Sequence, residues 1–217
     1  MTERSPYRAL IVDYGGVLTT SIGASFAAFC VETGVDPERF TSIVAEAYGR
    51  DGSDGMIARV ERGMLAPRDF ERWLAGALSA GSPKPVKPAG LRRRIFAGVR
   101  RDPAMIAAVE KLHSAGTKTA VISNTWGPPV AYGAKRLRAI FDAIVRSDEV
   151  GLRKPDAEIY LLTAEKLQAR PAECVFVDDL LQNVEGARAV GMHAFVHRNA
   201  TFTVPKLEEL FGISLPA

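Results

Sequence analysis

The sequence predicts an α/β fold: a Rossmann-like parallel sheet with helices on both faces and an inserted helical module. Three observations predict it. Short apolar, partly β-branched runs recur at residues 9–13, 117–123, 143–145, 174–177 and 193–197, with helical patterns between the later ones. Such runs mark strands buried on both faces, and repeated strand–helix–strand units mean a parallel sheet. Residues 21 to 80 contain no run of this kind, only helical periodicity. Several strand ends also carry polar groups, which is where ligand chemistry gathers in open parallel sheets.

Taken in order, the first strand delivers a carboxylate, Asp13, straight into Tyr14-Gly15-Gly16. Residues 25–32, 37–48, 55–62 and 68–78 then read as helices, the last with Phe70, Trp73, Leu74 and Leu78 as an apolar stripe. Residues 81–88 carry three prolines and read as a linker back to the sheet. The division expected is a core of residues 1–20 and 89–217, with residues 21–88 as the helical module. Arg92, Arg93 and Arg94, followed by Arg100 and Arg101, alternate with Leu91, Ile95, Phe96 and Val99 at helical spacing, so most of these arginines are expected on a solvated face.

A helix over 103–115 has Pro103 in its first turn, Met105, Ile106, Val109 and Leu112 on one face, and Gly116 as its stop. The strand at 117–123 ends in Ser123-Asn124. A helix at 130–139, a strand at 143–145 and a helix at 156–168 follow. The strand at 174–177 delivers Asp178 and Asp179, the helix at 183–189 is ended by Gly191, and a last strand covers 193–197.

Composition excludes several classes. With 217 residues, 47% apolar and 24% charged, the chain reads as an ordinary globular protein. A net charge of +3, with no reader motif beside the arginine cluster, argues against nucleic acid. No apolar run approaches the roughly 20 residues needed to cross a bilayer. The first residues lack the apolar stretch of a signal peptide, so a cytoplasmic location is expected. Cys30 and Cys174 read as buried free thiols, not as a disulfide or metal cluster.

The strand ends and the segments after them present Asp13, then Ser123-Asn124, then Lys154, then Asp178-Asp179. A carboxylate can attack phosphorus and split one hard displacement into two easier ones. Magnesium, which takes oxygen ligands, would relieve repulsion between that anion and an anionic substrate. A hydroxyl, backbone N–H groups and an ammonium would stabilise the transferring group.

At these residues the chain resembles the haloacid dehalogenase superfamily, along nearly its whole length. Its four motifs are similar to Asp13-Tyr14-Gly15-Gly16-Val17-Leu18-Thr19, Val121-Ile122-Ser123-Asn124-Thr125-Trp126, Gly151-Leu152-Arg153-Lys154-Pro155-Asp156, and Val177-Asp178-Asp179 with Asn183 and Gly186. The helical insertion resembles the family's C1 cap. The Ser-Asn-Thr-Trp and Arg-Lys-Pro-Asp stretches look closest to the phosphatase domain of bifunctional epoxide hydrolases.

The resemblance implies that Asp13 is nucleophile and metal ligand. Ser123 binds the transferring phosphoryl group with Asn124 and Gly16 shaping its pocket, and Lys154 holds nucleophile and phosphate together. Asp179 is implied as the direct magnesium ligand, Asp178 as a further one, and the Gly15 carbonyl as another. The substrate implied is a small phosphorylated molecule; neither the substrate's identity nor the oligomeric state follows. One position departs from the pattern. The family's phosphatases carry a second Asp, a general acid and base, where this chain has Gly15; such proton transfer contributes typically ~10²–10⁴ in rate.

Two other readings are open at this level. A 2-haloacid dehalogenase would use Asp13 on carbon without metal, against which the Asp178-Asp179 pair argues. A non-catalytic binding protein would keep the pocket and lack turnover. His113 reads as a solvated helix-end residue, His193 and His197 as structural, and Trp73 and Trp126 as packing residues.

Overall fold

The computed structural model describes residues 5–49, 55–80, 82, 84–126 and 138–216. The helix expected at 130–139 falls mostly on residues 127–137, outside the described ones. Five strands form one all-parallel sheet: β1 (Ala9–Asp13), β2 (Lys118–Ser123), β3 (Ala143–Arg146), β4 (Cys174–Asp178) and β5 (His193–Val196), in the order β3-β2-β1-β4-β5. The chain builds β1, β2 and β3 outward on one side, then crosses back to build β4 and β5 on the other. That reversal makes the carboxyl ends of β1 and β4 the switch point, where such sheets open a crevice. Register places Val12 opposite Val177, so Asp13 and Asp178 emerge side by side from neighbouring strands.

Alternation along β1 divides the core. Leu10 and Val12 face Met105, Val109, Leu207 and Phe211 on one side of the sheet. Ala9 and Ile11 face Ile159, Tyr160 and Val184 on the other. The helices behind these faces are α6 (Pro103–Ser114), α8 (Ala157–Lys166) and α9 (Leu181–Ala189). At the start of α6, Asp102 accepts from Ala104 N and Met105 N at 3.0 Å, and Pro103 occupies a position whose missing N–H costs nothing.

The helical module contains α1 (Ile22–Thr33), α2 (Pro37–Ala47), α3 (Met56–Glu61) and α4 (Pro67–Ser79). Phe29, Phe40, Phe70, Leu74 and Leu78 close a separate apolar core. It takes in Leu91 and Ile95 of the short α5 (Leu91–Ile95), and Trp126 from the loop after β2. The module therefore packs onto the loop that follows β2, which sets it over the carboxyl ends of the strands.

Several features differ from the sequence reading. A final helix, α10 (Ala200–Phe211), covers one face of the sheet; Pro205 inside it and its β-branched start mask its helical signal. Asn199 caps it by accepting from Phe202 N at 2.8 Å, and Thr203, Val204, Leu207 and Phe211 bury its inner face. One turn, α7 (Ser147–Val150), stands between β3 and the Lys154 loop. Arg92 is not a solvated arginine: it is half-buried, 3.4 Å from Glu71, and donates to the Trp126 carbonyl at 2.5 Å.

Cys30 and Cys174 are buried free thiols, as expected. His197 is buried against the Thr203 hydroxyl at 2.9 Å. His113 is held more firmly than a solvated helix end, 3.1 Å from the Thr119 hydroxyl and 3.4 Å from Asp142. No described helix is long and apolar enough to cross a membrane.

Candidate active site

Asp13 and Asp178 leave the ends of β1 and β4, and Lys154 arrives from the loop after α7. The Lys154 ammonium donates to Asp13 Oδ1 at 2.5 Å, to Asp178 Oδ2 at 2.6 Å and to the Ile122 carbonyl at 3.3 Å. Lys154 is 1% exposed, so this cation is stable there only because two carboxylates face it. Those neighbours hold its pKa above the ordinary lysine value despite burial.

The acids are not equivalent. Asp178 is fully buried, and its other oxygen accepts from Leu180 N and Asn183 Nδ2, both at 2.9 Å. All of these bonds orient Lys154 and the turn into α9. Asp179 is half-buried and faces the cavity. Burial, then the neighbouring Asp178, pushes its carboxyl up to about 6. Burial pushes Asp13 up to about 7; Lys154 opposes this, and Asp178 and Asp179 add to it. Three carboxylates sharing one ammonium leave an excess of negative charge, which a divalent cation would offset.

The donor set fits such a cation. Asp13, Asp178 and Asp179 each offer an oxygen, all within 4.8 Å of one another. Ligands at ~2.1 Å from an octahedral magnesium stand ~3–4.2 Å apart, so the cluster needs only small shifts to close on one. A backbone carbonyl such as that of Gly15 is a further hard oxygen of the required kind.

Gly16 adopts φ 83°, and its N–H donates to the Thr19 hydroxyl at 3.0 Å. A β-carbon there would lie 2.2 Å from Asp179 Oδ2, so its part in the site is close backbone approach. Ser123 is buried at the end of β2, and among the described residues its Oγ makes a single long contact, 3.5 Å to its neighbour's carbonyl. Asn124 does something the sequence did not suggest. Its amide accepts from Lys154 N and donates to the Lys154 carbonyl, both at 2.9 Å, clamping the lysine's backbone.

Gly15 lies outside the left-handed region, unlike Gly16. A β-carbon on it would meet Ile22 Cδ1 at 3.2 Å. The side of Asp13 where a second carboxylate would stand is thus occupied by an apolar side chain from α1. Above it opens a cavity of about 1030 Å³, lined by Ile22, Phe26, Val44, Tyr48, Phe96 and Trp126 among others, with Asp13, Ser123, Lys154 and Asp179 in its polar part. Trp126 packs 5.3 to 6.1 Å from Phe26, Phe70 and Phe96, centroid to centroid, so it serves both the module's core and the cavity wall.

Two more residues were given no role of their own in the sequence reading. Glu61, from α3, accepts from Arg153 Nε at 2.7 Å, and both side chains are almost wholly buried. Glu61 carries no local signal, being one acid on a short helix. Arg153 stands beside Lys154 and was visible only as part of its motif.

The site is thus a parallel-sheet switch point carrying three carboxylates and one buried lysine beneath a helical module. The model of haloacid dehalogenase-like hydrolases matches residues 7–191, and the chain belongs to that family. It is 30% identical to bifunctional epoxide hydrolase 2 of Sus scrofa, over 96% of this chain and 39% of that protein. It is 28% identical to the sesquiterpene phosphatase astK of Aspergillus oryzae, over 95% of this chain and 97% of that one. The chain spans only 20% to 39% of the length of several curated relatives it matches. Among solved structures, an HAD family enzyme from Bacteroides thetaiotaomicron in complex with magnesium and inorganic phosphate has a TM-score of 0.63 at 20% identity, covering 88% of this chain and 94% of its own. A dehalogenase with an intermediate complex has a TM-score of 0.69 at 20% identity, covering 97% and 99%. At such identities the structures establish the shared fold alone.

Proposed function

We propose that this chain is a magnesium-dependent phosphatase, acting on a phosphate monoester of a small molecule with an apolar body through an aspartyl-phosphate on Asp13. The observation that carries this reading is the Lys154 ammonium held between Asp13 and Asp178, with Asp179 beside them, at the floor of an aromatic-lined cavity. The phosphatases among its relatives support the reaction type. Residues 21–88 act as a cap in this reading, and the apolar wall they contribute receives the ester's organic part.

Asp13, Asp179, Asp178 and the Gly15 carbonyl are the groups that would hold magnesium. Bound there, the ion supplies positive charge against the anionic phosphate and orients it. Asp13 Oδ attacks phosphorus; its new O–P bond replaces the ester P–O bond, and the departing alcohol oxygen takes a proton. Water then attacks phosphorus, releasing inorganic phosphate and regenerating Asp13. Lys154 and Ser123 stabilise the oxygens of the phosphoryl group in both steps. Gly15 and Ile22 offer no proton to the departing oxygen, so esters whose leaving groups need little protonation should react faster.

The Asp178-Asp179 pair weighs against a metal-free dehalogenase, because three carboxylates within 4.8 Å of one another disfavour common ionisation without a cation. The apolar group at Gly15 favours the second reading, a phosphate-binding protein without turnover. Phosphate release from a panel of alkyl, aryl and isoprenyl phosphates, and halide release from 2-haloacids, each with magnesium and with chelator, separate these. The phosphatase reading expects magnesium-dependent release that Asp13→Asn abolishes. Phosphate binding without release would support the second reading, and halide release without metal the dehalogenase.

A further inference from the structure

We infer that Glu61 is a positioning residue: from α3 it holds Arg153 and, through the adjoining backbone, fixes Lys154 between Asp13 and Asp178. Two consecutive residues at the end of α3 grip one loop. Glu61 Oε2 accepts from Arg153 Nε at 2.7 Å, and Arg62 Nη2 donates to Asp156 Oδ2 at 2.7 Å. Lys154 lies between those two anchors. Immediately beyond Arg62, Gly63 packs so closely on this region that a β-carbon would come within 2.4 Å of the Asp148 carbonyl. The ring of Tyr48 lies 5.5 Å from the Arg153 guanidinium, and its hydroxyl is 3.5 Å from Glu61 Oε1.

A buried ion pair is a poor device for stability, since desolvating two charges offsets most of their attraction. It is a good device for direction. The Glu61–Arg153 side chains are 3% and 5% exposed and join elements 92 residues apart in sequence. They make the placement of Lys154 depend on the helical module being seated over the site. Lys154 touches its two carboxylates at 2.5 and 2.6 Å, so a small shift of its loop breaks one contact. The Glu61 carboxylate meets Arg153, the Tyr48 hydroxyl and the Trp126 side chain, so it ties the module to both the Lys154 loop and the loop after β2.

The kinetic arm of the test rests on the phosphatase reading; the exchange arm does not. Glu61→Gln should lower kcat for a small aryl phosphate by about tenfold to a hundredfold, the range typical of a misplaced group, with KM nearly unchanged. It should also speed amide hydrogen exchange at Lys154 and Asp156, whose N–H groups donate to Asn124 Oδ1 and the Arg153 carbonyl, while β4 stays protected. Glu61→Gln strands a buried guanidinium and could fail to fold. The double variant Glu61→Met with Arg153→Met removes both charges and avoids that cost. Low kcat and fast exchange at Lys154 in the folded double variant support positioning. Wild-type kcat, or wild-type exchange at Lys154 and Asp156, in that variant overturns it. If wild-type protein hydrolyses no phosphoester, the phosphatase reading fails, and exchange alone decides the role of Glu61.

Discussion

Gly16 and Asp179 stand closer than any pair with a side chain at both positions would allow: a β-carbon on Gly16 would lie 2.2 Å from Asp179 Oδ2. The glycine also holds φ 83°. Gly16→Ala should therefore cost about 1–3 kcal/mol through backbone strain and displace the Asp179 carboxylate. Calorimetric titration should find magnesium affinity reduced in this variant. Unchanged affinity and melting temperature would show that the loop relaxes around the new methyl group.

The two adjacent acids should fail differently. Asp179→Ala removes the carboxylate that faces the cavity, so it should weaken magnesium binding with little change in stability. Asp178→Ala removes the partner of Lys154, Leu180 N and Asn183 Nδ2, and should cost about 3–5 kcal/mol by leaving the lysine under-compensated in the interior. Denaturant unfolding and metal titration on both variants check this. Equal stabilities would refute the division of labour.

At Gly15 the backbone is permissive and the space is not. Gly15→Asp places its β-carbon against Ile22 Cδ1 at 3.2 Å, a flexible side-chain end. Combined with Ile22→Ala, the new carboxyl has room, and turnover of alkyl phosphates should rise by up to ~10²-fold, the lower end of general-acid effects. Hydrolysis of p-nitrophenyl phosphate, whose leaving group needs little assistance, should change far less. A folded double variant with no gain on alkyl phosphates would mean that proton donation is not limiting.

His197 should make stability depend on pH. Burial holds its pKa below the usual histidine value, with Asp102 opposing the shift. In the window below about 6.5 the unfolded chain takes a proton that the folded His197 resists, so its contribution is complete above 6.5 and is lost as pH falls. His197→Gln, which keeps a partner for the Thr203 hydroxyl, should flatten the decline in melting temperature between pH 7 and 5. Asp13 and Asp179, with raised carboxyl pKa values, act in the opposite sense. The informative quantity is thus the difference between variant and wild type; parallel curves would rule the histidine out.

By itself the sequence determined the strands, their acids and most of the helices, because these are written locally. Five strands read as apolar runs, the central ones fully buried, and Asp13, Ser123, Lys154, Asp178 and Asp179 sit at or just beyond the ends of elements that period and turn residues mark. Helix α10 escaped because Pro205 and β-branched residues contradict a helix that tertiary burial stabilises anyway. The family resemblance ranked Asp179 above Asp178 as a metal ligand, but only tertiary structure showed that Asp178 orients Lys154 while Asp179 faces the cavity, since burial is what separates adjacent aspartates. Tertiary structure alone turned Arg92 inward to Glu71 and the Trp126 carbonyl, and set Ile22 beside Gly15. It also brought Glu61 to Arg153 across 92 residues. Periodicity reports how a segment meets a generic core. The pairing of one buried charge with another depends on where two elements cross, and that geometry exists only once the chain has packed.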